Sequence, residues 1–70
     1  MSQQTFRLTT EFIPLIQLLK YTGIAESGAR ASELVVSGEV FCNGQVETRK
    51  RYKVRKGDLI RIGNQTIEII

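Results

Sequence analysis

An α+β fold, two helices followed by four or five short strands, is predicted by a single change of period along the chain. Up to Gly38 the apolar residues recur at helical spacing. From Glu39 onward they alternate, and two glycine-bearing turns, Asn43-Gly44 and Gly63-Asn64, punctuate the alternation. Runs of helices followed by runs of strands are the pattern of α+β architectures.

The opening residues, MSQQTFR, are polar and read as an N-terminal tail, flexible over 1–7. Phe12, Leu15, Ile16 and Leu19 then stand at i, i+3, i+4 and i+7, one stripe of an amphipathic helix. Pro14 belongs in its first turn, where the missing N–H costs nothing. Lys20 falls in the last turn and Gly23 is placed to end the helix as its C′ residue. Ser27 is a strong N-cap for a second helix with Ala31, Leu34 and Val35 facing inward and Gly38 closing it. Only three residues separate Gly23 from Ser27, so the helices should form a tight hairpin or corner.

The strands follow in pairs. EVFC-NG-QVET carries Asn-Gly between two strand-like runs, a strong hairpin signal. LIRI-GN-QTIEII repeats the pattern; a two-residue turn there sets Ile60 opposite Ile67, with Ile62 and Ile69 on the same side. Val54 and the turn Lys56-Gly57-Asp58 join the two hairpins.

Seventy residues allow one domain, 1–70, with a thin core and marginal stability. At 41% hydrophobic and 24% charged the chain reads as globular. The start has no basic region leading into an apolar stretch, so no secretory signal is expected. Phe12 to Leu19, broken by Gln17, is too short to span a bilayer. One cysteine permits no internal disulfide and fits the cytoplasm.

Catalysis is not expected. There is no histidine to serve as a base near neutral pH, and the acids are scattered singly. Cys42 has no partner for a metal site or for activation as a nucleophile, and beside Val40 in a strand it reads as a buried core residue. No metal, cofactor or small-molecule substrate is called for.

Charge carries the functional signal. Net charge is only +3, but residues 1–40 hold three basic residues against four acids, whereas 41–70 hold seven against three. Six of those seven lie in ETRKRYKVRK, residues 47–56. If this stretch is extended, Arg49, Arg51, Lys53 and Arg55 point one way and Lys50, Tyr52, Val54 and Lys56 the other. With Tyr52 and Val54 anchored on the core, the first set forms a comb of cations about 6.6–6.8 Å apart, close to the separation of successive phosphates along a nucleic-acid strand. Three of the four teeth are arginine, which pairs bidentately with phosphate oxygens. An edge merely protected from aggregation would need less charge, so a polyanion is the favoured partner. Ser27-Gly28-Ala29-Arg30 is a second candidate: a helix N-terminus offers free N–H groups, Gly28 permits close approach, and Arg30 sits one turn in. That turn counts as part of a site only if it shares a surface with the comb. A protein adaptor meeting an acidic partner is the alternative; a peripheral membrane protein would need a basic amphipathic helix, and the first helix carries only Lys20.

Taken as a set, LLK at 18–20, ESGA at 26–29, Ala31, Gly38 to Val40, Asn43-Gly44, VETRKR at 46–51 and Gly57-Asp58 resemble the RNA-binding domain named after ribosomal small-subunit protein four, the alpha-L motif. The likeness runs over residues 8–69 and is nearest to the small stand-alone bacterial members of the YbcJ type. It implies two antiparallel helices packed on a small, bent, antiparallel sheet, and RNA binding by the start of the second helix together with basic residues of the following strands and loops. Carried over by position, it singles out Ser27, Arg30, Arg49, Arg51 and Lys53, with Lys20 as neighbour; Lys50, Arg55 and Lys56 complete the candidate set with Gly28. The broader family often has arginine where Gly28 stands here, which shifts weight to VETRKR. The implied partner is structured RNA, ribosomal or transfer, bound by a monomer. With two tyrosines and three phenylalanines, and with Phe12 and Phe41 assigned to packing, base stacking on an exposed aromatic platform is not expected.

Overall fold

The computed structural model describes residues 2–70. Its two helices, α1 (Leu15–Tyr21) and α2 (Gly28–Val36), are joined by a short corner. Seven strands complete it: β1 (Ser2–Phe6), β2 (Ile13–Pro14), β3 (Val40–Cys42), β4 (Gln45–Val46), β5 (Lys53–Val54), β6 (Leu59–Ile62) and β7 (Gln65–Ile69). They form a five-stranded sheet of order β1-β7-β6-β3-β4 and a separate two-stranded ribbon, β2-β5. The α+β prediction holds, and the sheet is mixed rather than wholly antiparallel.

The added element is β1. The polar tail runs parallel to β7, with Gln4 opposite Ile67 and Phe6 opposite Ile69. Leu8 N–H donates to Ile70 O at 2.8 Å and Ile70 N–H to Phe6 O at 2.9 Å, extending the ladder. Backbone pairing at a sheet edge asks for no apolar pattern, so a polar sequence suffices. Its alternation is visible only against the sheet, with Gln3 and Thr5 exposed and Gln4 and Phe6 half-buried.

The helix signals are placed as expected at three ends and differently at the fourth. Ser27 Oγ accepts the Arg30 N–H at 3.1 Å, a side-chain cap that stabilises α2 by about 1 kcal/mol. Gly23 (φ +81) and Gly38 (φ +84) adopt the left-handed conformation that ends α1 and α2. At its start, α1 is shorter than the stripe from Phe12 implied. Proline biases the preceding residue toward extended backbone, so Ile13 and Pro14 form β2, with Pro14 at ψ 140, and the helix begins at Leu15.

Asn43 (φ 52) and Gly44 (φ 87) both occupy the left-handed region required by a tight two-residue hairpin turn between β3 and β4. In the second hairpin Ile60 faces Ile67. With Val40 opposite Ile62 and Cys42 opposite Ile60, the inner sheet face is a row of buried aliphatic side chains. It joins Leu15, Leu18 and Leu19 of α1 and Ala31, Leu34 and Val35 of α2 in one apolar cluster. Cys42 is buried and unpaired, and burial, helped by Asp58 and Glu47, pushes its thiol from 9.0 up to about 12. It is a packing residue with no reactive thiolate near neutral pH.

Phe12 and Phe41 are not core residues. Phe41 alternates with buried Val40 and Cys42 and lies half-exposed on the outer sheet face, 4.7 Å beneath the Arg61 guanidinium. Phe12 is half-buried under the Lys53 ammonium at 5.0 Å. Both rings carry a cation, an arrangement hidden in a sequence that shows only their apolar character.

Candidate nucleic-acid interface

After β4 the chain leaves the sheet, and the basic segment begins with Glu47, whose N–H still donates to Val40 O at 2.9 Å. The straight comb does not form. Tyr52 N–H donates to Arg49 O at 3.2 Å, closing a turn with Lys50 and Arg51 at its corners, and only Lys53–Val54 is extended. A further turn, Asp58 N–H to Arg55 O at 3.1 Å, ends the segment.

Another element holds this bent path. Helix α1 lacks a side-chain N-cap, so its first N–H groups need acceptors from elsewhere. The basic segment supplies them: Leu15 N–H donates to Tyr52 O at 2.9 Å and Ile16 N–H to Lys50 O at 3.2 Å. β2 pairs with β5 immediately beyond, Ile13 opposite Val54 and Pro14 opposite Lys53. Val54 is fully buried and Tyr52 packs half-buried against the core, the anchoring roles expected of them. The cationic side chains are therefore displayed from a backbone secured on its inner side.

Bending brings the predicted cations together. Arg49, Arg51, Lys53 and Arg55 line one open concavity of about 620 Å³ with Tyr52 and Asp58. Arg51 also borders a second depression, shared with Pro14, Ile16, Gln17, Lys20 and Gly28. The start of α2 and the end of α1 thus meet the basic segment at Arg51. A Cβ built on Gly28 would have no neighbour within 4 Å, so the backbone there is open to close approach.

The remaining candidates line neither of these two depressions. Ser27 uses its hydroxyl as the α2 cap, and the Arg30 guanidinium donates to Glu33 at 3.2 Å on an exposed helix face. Lys56 lies in a separate concavity with Arg7, Thr9 and Ile70. Lys50 is exposed at the corner of its turn and contributes its carbonyl to α1.

Charge within the concavity is uneven. Arg49 donates through Nε to Glu47 Oε2 at 2.9 Å and through Nη2 to Oε1 at 3.1 Å, and its guanidinium lies 5.3 Å from the centre of the Tyr52 ring. The Arg49 side chain is the largest influence holding the Glu47 carboxyl below its ordinary range, and Glu47 in turn raises Arg49. Burial, then the charge of Asp58, pushes the Tyr52 phenol up. Asp58 is itself occupied, accepting from the Arg55 backbone N–H at 2.9 Å and from Asn43 Nδ2 at 3.1 Å. No ion pair involves Lys20, Arg51, Lys53 or Arg55 among the described residues. Those four keep their charge available to a ligand. Among the same residues no cluster of three or more histidine, cysteine, aspartate or glutamate side chains could hold a metal ion, and no helix is long and apolar enough to cross a membrane.

Tyr52, Asp58 and Gln17 line these depressions, and Glu47 engages Arg49, although none of the four is singled out as a ligand contact by the sequence. Glu47 had a signal, as an acid two residues before Arg49. The contribution of α1 had a weaker one, a helix start with no capping side chain.

The family model for the S4 domain matches residues 6–70. The chain belongs to the S4 domain family. It is 36% identical over 58 residues to YbcJ of Escherichia coli (strain K12), covering 83% of each chain, with the same figures for YbcJ of Shigella flexneri. The solution structure of E. coli YbcJ superposes with a TM-score of 0.74 at 36% identity, covering 94% of this chain and 85% of that one. That structure is described as revealing an alfaL motif involved in RNA-binding. The S4 match extends upstream of Leu8 to Phe6, the last residue of β1.

Proposed function

We propose that this S4-family chain is a non-catalytic RNA-binding module that recognises structured RNA, ribosomal or transfer, through phosphate-backbone charge and shape. It acts as a monomer in the cytoplasm, in ribosome assembly or translation. The observation that carries the reading is the shared position of Arg51, which joins the Arg49–Arg55 concavity to the Lys20 and Gly28 depression. A continuous track of cations suits a phosphate backbone better than a single anion. Phosphate contacts position a ligand without reading its sequence, so selectivity comes from RNA shape. Arg51, Lys53, Arg55 and Lys20 are the principal contacts. Arg49 presents only the edge of its guanidinium that Glu47 leaves free, and Arg30 and Lys56 are peripheral.

Crosslinking the protein to RNA in cells, followed by sequencing of the bound RNA, tests this with an Arg49→Glu/Arg51→Glu variant as control. The variant should lose most of the recovered RNA. Unchanged recovery overturns the assignment of the site, and an association with a protein partner that survives nuclease would replace RNA with an acidic protein.

A further inference from the structure

The exposed face of α1 continues the basic track into an aromatic groove. Lys20 and Tyr21 stand at i+3 and i+4 from Gln17, so Gln17 neighbours both, about 5–6 Å away at Cβ, and bridges the two. Lys20 borders the depression that contains Arg51 and Gly28. Tyr21 lines a groove with Phe6 and Phe12, and Pro14 and Gln17 belong to both.

Against the expectation that no aromatic ring stands exposed for stacking, Tyr21 is 65% exposed, the most exposed large apolar side chain among the described residues. Its orientation is nonetheless held. The ring lies nearly parallel to Phe6, at 10° and 6.4 Å between centroids, and its hydroxyl accepts from Gln17 Nε2 at 3.2 Å. Such a ring offers a flat apolar surface with little ordering left to do on binding. Stacking on aromatic rings is how unpaired bases are held, and every base has a face that can use it.

We propose that the Tyr21 groove takes one unpaired nucleobase of the RNA whose phosphates lie on Lys20 and Arg51. The inference rests on the RNA-binding reading above and adds to it a preference for an unstacked nucleotide. A phosphate held at Lys20 leaves its own or the next base within reach of Tyr21, because the depression that Lys20 borders and the groove that Tyr21 lines share Pro14 and Gln17. Thr10 and Glu11 line the same groove and offer polar groups to a base edge.

The probes are two RNA duplexes of equal length, one fully paired and one with a single bulged adenosine, titrated at fixed salt. The wild-type chain should bind the bulged duplex roughly tenfold more tightly, and Tyr21→Ala should lose that advantage while Tyr21→Phe retains it. Tyr21 ring-proton resonances should move upfield with the bulged duplex only. Equal wild-type affinity for both duplexes, or a preference that survives Tyr21→Ala, overturns the groove assignment and leaves the phosphate reading standing. Failure of both duplexes to bind even at low salt removes the RNA-binding reading and this inference with it.

Discussion

The β6–β7 hairpin and the basic segment 47–56 are both turn-containing stretches of one small domain, yet their shapes are maintained in opposite ways. The hairpin supports itself: Ile60 faces Ile67, and these two with Ile62 and Ile69 form a buried face that specifies the register. The basic segment has few internal ties, and its path depends on N–H groups of α1 and on β2. In the first region side chains determine the fold and are consumed by it. In the second, the backbone and the anchors Tyr52 and Val54 do the holding, which leaves the charged side chains outside. A binding surface on a seventy-residue chain is made possible by that division.

Ile60→Ala breaks the self-supporting region and is expected to have the largest effect. Ile60 is fully buried, so its truncation should cost about 2–5 kcal/mol in denaturant unfolding, a large share of the stability of so small a chain. By contrast, Arg51 is exposed, and replacing it should leave stability within about 0.5 kcal/mol of wild type. A mild Ile60→Ala and a destabilising Arg51 substitution would reverse the assignment of roles.

The same division explains what could be read from residues alone. Asn43-Gly44, Ser27 and the Ile60–Ile67 pairing were legible because each is a local device whose cause and effect lie within a few residues. β1 was not, since its partner β7 lies at the other end of the chain and parallel pairing leaves no turn signature. The four cations of the expected comb do line one concavity, but on a bent rather than an extended backbone. Alternation of Arg49, Arg51, Lys53 and Arg55 is as compatible with a turn at Lys50-Arg51 as with an extended strand, and what closes the turn is supplied in part by a helix more than thirty residues upstream. Phe41 was assigned to the core on type alone, whereas its register opposite Arg61 puts it on the outer face.

A smaller effect sharpens the contrast inside the basic segment, between latched Arg49 and unpaired Arg51. Because Arg49 holds the Glu47 carboxyl below 4.5, the folded state gives up this proton more readily than the unfolded chain. The pair's contribution to stability is therefore present above the ordinary carboxylate range and is lost as pH falls through the lowered value. An NMR titration of the Glu47 carboxyl should find its midpoint below 4.5 in wild type, moving upward in Arg49→Gln and staying in place in Arg51→Gln. Equal movement in both variants would mean that Arg49 is not specially engaged.

The salt dependence of RNA affinity tests the central claim most directly, because phosphate contacts release counterions and other contacts do not. With about five phosphates neutralised, log K should fall with log salt at a slope of about −3.5 to −4.5, and Arg51→Gln should make that slope shallower by about 1. A slope near zero, or one that Arg51→Gln leaves unchanged, would contradict an interface built on the Arg51 junction.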